Sequence, residues 1–313
     1  MTLTRRLALA GGLAAAPVLA RAAAPAFEVL AKGLQFPEGP VPMADGSVIF
    51  CEILGKKLSR WRPGGAVETV FEFPAGAPNG ATLGPDGALY VCNNGGRTPY
   101  SGGALQRLDL ATRTPKTLYT EVAGNRLSGP NDLVFDEWGD IWFTDMGRVL
   151  ARTQELGGLY WAKADGSEIR EVAYPIAGAN GVALGPDRRT IYVVQTFERK
   201  VQVLKIAGRG QLVQANGKAQ MTGLAGLPGL ANCDSLAVEA GGNLVIANWQ
   251  AGATVVSPAG KLVEQRPFGP YSLTNVAFGG ADLRTLYATG NGADGGVLLL
   301  AAWPRPGLKL LHR

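Results

Sequence analysis

Histidine is nearly missing from this chain: the single one, His312, stands next to the last of the 313 residues. A Ser-His-Asp triad, a histidine-liganded zinc or a histidine proton shuttle would all have to be built on that one position. Cysteine is scarce too. Cys51, Cys92 and Cys233 form no CxxC pair, which excludes a structural zinc site, and three widely spaced thiols make no disulfide framework. Charged residues are 18% of the chain, below the roughly 25% usual for soluble proteins. No segment approaches the ~18 uninterrupted apolar residues of a membrane span. No Lys/Arg-rich run with interleaved aromatics offers a nucleic-acid surface. A 3.6-residue apolar period is also lacking, so helix is expected to be minor.

What is abundant is glycine, 44 residues, about twice the ~7% norm, alongside 46% apolar residues arranged in short runs. Such a composition describes many short elements joined by tight turns around a sizeable core rather than disorder.

Residues 1–22 read as an export signal. Arg5-Arg6 precede the apolar stretch Leu7 to Ala20, and Ala20-Arg21-Ala22 offers a small-x-small cleavage pattern. The paired arginines before a Gly- and Ala-rich, mildly apolar stretch fit a twin-arginine signal, so an exported, periplasmic protein is expected. Its removal takes Arg5, Arg6 and Arg21 from a formal charge of +5, leaving 5 − 3 = +2.

Residues 23–313 read as a single repetitive domain. Six segments share a turn followed by an apolar, aromatic-rich strand. Aligned on Ile49, Tyr90, Trp142, Tyr192, Val245 and Tyr287, they lie 41, 52, 50, 53 and 42 residues apart. That is the period of a four-stranded blade. Asp45-Gly46, Pro85-Asp86-Gly87 and Ala164-Asp165-Gly166 mark hairpin turns between the strands. Such sheets bury both faces only by packing on their neighbours, and closing the array removes its exposed ends. The expected fold is therefore all-β, a six-bladed β-propeller with four antiparallel strands per blade. Phe27 to Leu30 reads as a separate strand that pairs with the last blade.

An amide or carboxylate recurs upstream of every aligned strand. Glu38, Asn79, Asn131 and Asp234 stand 11 residues before their strand positions, and Asn180 and Asn275 stand 12 before theirs. In a propeller the first strand of each blade lines the central channel, so these side chains are expected at one channel mouth as a ring. Asn-Gly and Asp-Ser at loop-to-strand junctions also serve turn chemistry. Two carboxylates and four amides form an oxygen-only set suited to a hard divalent cation, which would offset like charges gathered on one axis. Asn93 and Asn94, after the second blade's strand, are candidate substrate contacts. Asp132 and Asp145 fit holding the mouth loops, and Asp136 a turn. Trp249 and Tyr271 are candidate floors for a sugar pocket or core aromatics.

The residues resemble the regucalcin and gluconolactonase family of six-bladed propellers. The likeness is carried by Pro37-Glu38-Gly39-Pro40, Gly129-Pro130-Asn131-Asp132 with Trp142-Phe143-Thr144-Asp145, Asn180-Gly181-Val182, Asp234-Ser235-Leu236 and Thr274-Asn275-Val276-Ala277-Phe278-Gly279-Gly280. It implies a metal-dependent hydrolase that opens a sugar lactone to the free acid. By the same resemblance Glu38, Asn180 and Asp234 hold one divalent metal, Ca²⁺, Zn²⁺, Mn²⁺ or Mg²⁺, and Asp234 is the proton acceptor. Asn131 matches a substrate contact, and Asn79, Asp132 and Asn93 join it as candidates. Gly129 departs from the family: animal members carry arginine there. A small-molecule lactone is the implied partner, and a monomer is expected. The alternative is a non-catalytic propeller that binds Ca²⁺, a sugar or a protein through the same face. A quinone-dependent sugar dehydrogenase would want a histidine base and several basic residues to clamp the cofactor, and the chain has no internal histidine.

Overall fold

The computed structural model describes residues 27–96, 99–224 and 232–312. The expected export signal, residues 1–22, lies outside the described residues. No helix occurs among those described, and the strands assemble into six small antiparallel sheets.

Each sheet runs outward from the axis in chain order, except at the outer edge of blade 6. Blade 1 comprises Pro37–Pro42, Val48–Glu52, Lys57–Trp61 and Glu68–Glu72; blade 2, Pro78–Leu83, Leu89–Asn93, Ala104–Asp109 and Thr114–Tyr119. Blade 3 is Pro130–Phe135, Asp140–Asp145, Gly157–Lys163 and Ile169–Ile176. Blade 4 has Ala179–Leu184, Thr190–Gln195 and Lys200–Gly208, with the short Thr222–Leu224 outside them. Blade 5 holds Cys233–Val238, Leu244–Asn248, Gly252–Val256 and Leu262–Arg266. In blade 6, Ser272–Gly279, Thr285–Gly292 and Gly295–Ala302 are completed by Phe27–Leu34, the first strand of the described chain. The expected separate strand thus does join the last blade.

The core is divided in the same way. Six apolar clusters fill the six gaps between neighbouring blades, for example Trp142 and Trp161 of blade 3 against Val182 and Leu204 of blade 4. The last gap is closed by Val48, Phe50 and Trp61 of blade 1 packing on Tyr287 and Leu298 of blade 6. Every blade therefore buries both faces, which is what makes a ring of small sheets stable.

The turns on the two faces differ in chemistry. Between the first and second strands of each blade the turn carries an acid: Asp45, Asp86, Asp136, Asp187, Glu239 or Asp282. Asp136 accepts the backbone N–H of Trp138 and of Asp140 at 3.0 and 2.9 Å and the Trp142 indole at 2.9 Å, the turn role expected for it. The opposite face, where each inner strand begins, carries the candidate site.

Candidate functional site

The aligned strand residues fix where the polar residues fall. Ile49, Tyr90, Trp142, Tyr192 and Val245 pair with Val41, Thr82, Val134, Ala183 and Ala237 on their inner strands. Glu38, Asn79, Asn131, Asn180 and Asp234 each lie three residues before those partners. In all five blades the register slips by one residue in this interval, for instance from Pro37↔Glu52 to Val41↔Ile49. A bulge of this kind re-aims a side chain out of the regular alternation. Here it accompanies five polar side chains that line one cavity of about 880 Å³ at the channel mouth.

Blade 6 corrects the expected ring of six. Tyr287 pairs with Ala277, so Asn275 lies only two residues before the partner, the place Asp132 holds in blade 3, and the register counterpart of Glu38 is the buried Thr274. Asn275 accordingly lines the deeper part of the channel with Asp132 and reaches Glu38 from there, its Nδ2 donating to Oε2 at 3.1 Å.

Where glycine follows the polar residue, in blades 1, 2 and 4, packing demands it, and at Gly39 a φ of +46° does so as well. A Cβ on Gly39 would stand 2.6 Å from the Asn79 carbonyl oxygen, and one on Gly80 2.5 Å from that of Asn131. At these places neighbouring inner strands approach so closely that only glycine fits, whereas blades 3 and 5 carry Asp132 and Ser235 at the same position.

Glu38 and Asp234 are buried on the cavity floor. Burial, and then the charge of Asp234, raise the Glu38 carboxyl well above its usual range. Burial likewise pushes Asp234 up to about 7, opposed by the Trp249 indole, which donates to Oδ2 at 2.7 Å, and by the Asn180 amide. Among the described residues neither carboxylate has a lysine or arginine partner in an ion pair. Asn180 Nδ2 donates to Thr196 Oγ1 at 3.0 Å, and Met146 Sδ lies within reach of the Asn131 and Asn180 amides at 3.7 and 4.0 Å.

Two like charges buried together without a cationic side chain, bordered by amides, fit a divalent cation. Among the described residues no three His, Cys, Asp or Glu side chains gather as a metal cluster, so such a cation would depend on amide oxygen as well as on the two carboxylates. Glu38 and Asp234 with the carbamoyl oxygen of Asn180 are the donors that fit it.

Two expected substrate contacts lie elsewhere. Asp132 sits in the layer beneath the floor, where it accepts the Ser235 hydroxyl from blade 5 and the Leu133 N–H at 2.8 Å. Burial raises its carboxyl to about 6. Asn93 is saturated by the fold: Oδ1 accepts from Ala77 N and Gly95 N, and Nδ2 donates to Ala75 O and Gln106 Oε1. Its neighbour Asn94 lines the cavity instead. Asp145 anchors the mouth loops as expected, accepting the N–H groups of Ser128, Gly129 and Gly147. Trp249 lines the cavity, whereas Tyr271 packs edge-on against Phe27. The sequence reading missed Met146, Arg148, Thr196 and Phe197, which reach the cavity from turns with no recurring motif.

Comparison with known proteins follows the same lines. A family model described as "SMP-30/Gluconolactonase/LRE-like region" matches residues 36–291. The chain is 27% identical to the gluconolactonase of Zymomonas mobilis over 284 residues, 81% of this chain and 76% of that protein. A solved gluconolactonase from Xanthomonas campestris superposes with a TM-score of 0.74 at 26% identity, covering 89% of each chain. The calcium-binding regucalcin of Agrobacterium tumefaciens shares the fold, with a TM-score of 0.73 at 21% identity over 92% of this chain and 98% of that one. The match spans most of the six blades and every residue of the cavity floor, and the chain belongs to the SMP-30/gluconolactonase/LRE-like family.

Proposed function

We propose that this protein hydrolyses a lactone to its hydroxy acid at the floor formed by Glu38, Asn180 and Asp234. The observation that carries this reading is the pair of buried carboxylates, Glu38 and Asp234, in no ion pair with a lysine or arginine among the described residues, beneath a cavity large enough for a small cyclic ester. The family membership and the lactonase names of its relatives support the same class.

In the reaction a water oxygen bonds to the lactone carbonyl carbon, the ring C–O bond breaks, and the ring oxygen leaves as an alcohol. Asp234 is the proton acceptor: it takes a proton from the attacking water and returns one to the departing ring oxygen. Burial holds its pKa near neutrality, where a general base is both ionised and basic. Trp249 fixes the orientation of that carboxylate through its 2.7 Å bond. Glu38 is held by Asn275 at 3.1 Å and by Gly39 N–H at 3.1 Å. Asn131 and Asn79 line the same cavity and would bind the ester oxygens. A divalent cation held by Glu38, Asp234 and Asn180 would polarise the carbonyl and offset the negative charge that develops on its oxygen. No enzyme nucleophile is required, in keeping with the single histidine. A twin-arginine signal at residues 1–22 would deliver the enzyme to the periplasm.

The test is titration of acid release at constant pH from glucono-δ-lactone and δ-valerolactone, with and without a chelator and with Ca²⁺, Mn²⁺ or Zn²⁺ restored. Hydrolysis is expected to need the cation and to be lost in Glu38→Gln and Asp234→Asn. Full activity in either variant would refute the mechanism.

A further inference from the structure

Thirteen of the described residues are large, apolar and exposed, and five of them line the cavity over Glu38 and Asp234. They are Leu54, Val149, Leu150, Phe197 and Trp249, exposed by 59, 69, 38, 41 and 40%. They come from four blades, and all stand in the connection between a second and a third strand: residues 53–56, 146–156, 196–199 and 249–251. In contrast, the turns between first and second strands, on the opposite face, each carry an acid. Five exposed apolar side chains from four blades are therefore gathered around one cavity mouth, whereas the other eight are spread over outer strands and further loops, and such a cluster marks a surface meant to be covered.

What covers it is fixed by its continuity with the floor. The amides and carboxylates lie at the bottom of the cavity, and the apolar side chains lie in the turns that border its mouth. A cavity apolar at its walls with a few convergent polar groups is the usual form of a small-molecule site. The remaining cation of the lining, Arg148, stacks over the Tyr100 ring at 3.6 Å. Asn94 Oδ1 accepts Gly96 N–H at 3.0 Å. At Gly129 a Cβ would stand 2.6 Å from the Gly147 carbonyl oxygen, so no side chain can project from that wall. A substrate whose outer part carried a hydroxyl on every carbon would set some of those groups against Val149, Leu54 and Phe197, side chains that displace water and offer no hydrogen-bond partner of their own.

We infer that the preferred substrate is a lactone bearing an apolar substituent, an alkyl or aryl group of several carbons, which extends from the ring toward the mouth across Leu54, Val149 and Phe197. This rests on the lactonase reading and revises the sugar-lactone expectation. Each methylene drawn out of water onto these side chains strengthens binding about two- to fourfold.

The test compares kcat/KM of the cation-loaded protein for δ-valerolactone, for δ-decanolactone with its pentyl tail, and for glucono-δ-lactone. δ-Decanolactone is expected to exceed both others by about tenfold or more. In Val149→Ser and Phe197→Ser its advantage over δ-valerolactone should shrink several-fold. The same three compounds are titrated calorimetrically into folded Asp234→Asn protein, which reads binding apart from turnover. A preference for glucono-δ-lactone, or no dependence on tail length in either series, overturns the inference. Tail-dependent binding without turnover of any lactone supports the apolar site and instead refutes the lactonase reading.

Discussion

The indole of Trp249 donates to Asp234 Oδ2 at 2.7 Å, joining a half-exposed aromatic at the cavity mouth to a buried carboxylate on its floor. The bond favours the ionised carboxylate against the burial that raises its pKa. Trp249→Phe keeps the ring and removes the donor. Activity near pH 7 is expected to fall about tenfold, the worth of one hydrogen bond to a charged group, and the acid limb of the pH–rate profile to move to higher pH. An unchanged profile with only a higher KM would mean that Trp249 merely contacts substrate.

Without a cation, the floor should destabilise the protein as pH rises. Glu38, Asp234 and Asp132 all have carboxyls raised by burial, Asp132 to about 6 and Asp234 to about 7. For an acid raised on folding, the stabilising contribution is complete below the unfolded value, about 4, and disappears as pH climbs through the folded one. Chelator-treated protein is thus expected to melt at a higher temperature at pH 5 than at pH 8, and added Ca²⁺ or Mn²⁺ to narrow the gap. Glu38→Gln removes one of the repelling charges. The metal-free variant should melt a few degrees above the metal-free parent at pH 8 while no longer gaining stability from cation. Calorimetric scans across pH decide it, and a flat metal-free profile would contradict the expectation.

Beneath the floor, Ser235 supplies the hydroxyl that Asp132 accepts from the far side of the channel. Ser235→Ala leaves a buried carboxylate oxygen without that donor and should cost about 1–3 kcal/mol. The lost bond had favoured the charged form, so the cost should be larger at pH 8 than at pH 5. Denaturant titrations at the two pH values measure it; a cost that is equal at both would assign the bond to packing alone.

The architecture was legible because each blade repeats one strong signal, an acid-bearing turn followed by an apolar strand, aromatic in five of the six, whose members all proved to be second strands. Glu38, Asn79, Asn131, Asn180 and Asp234 were legible from their distance to that strand. Asn180 stands one residue further off because its hairpin is one residue longer, Ala183 pairing with Tyr192 where Val134 pairs with Trp142. Counting along the chain could not separate that case from Asn275, which has the same spacing but lies one register step deeper, because a bulge leaves no mark in residue type. Most of the rim was illegible for another reason: Leu54, Val149 and Phe197 sit in turns with no shared motif, and only the closed ring brings them to one mouth beside Trp249.

The pairing of Phe27–Leu34 with Gly295–Ala302 sets an order on biogenesis. A ribosome makes the first of these strands before the five blades between them and the second after those blades, so the circle cannot shut until all six have emerged. Until then Phe27–Leu34 has no strand to pair with, and the faces of Val48 and Phe50 that meet Tyr287 and Leu298 stay wet. The latch strand begins only a few residues beyond the expected signal cleavage point, so trimming much past Phe27 would leave a protein able to build every blade but its last.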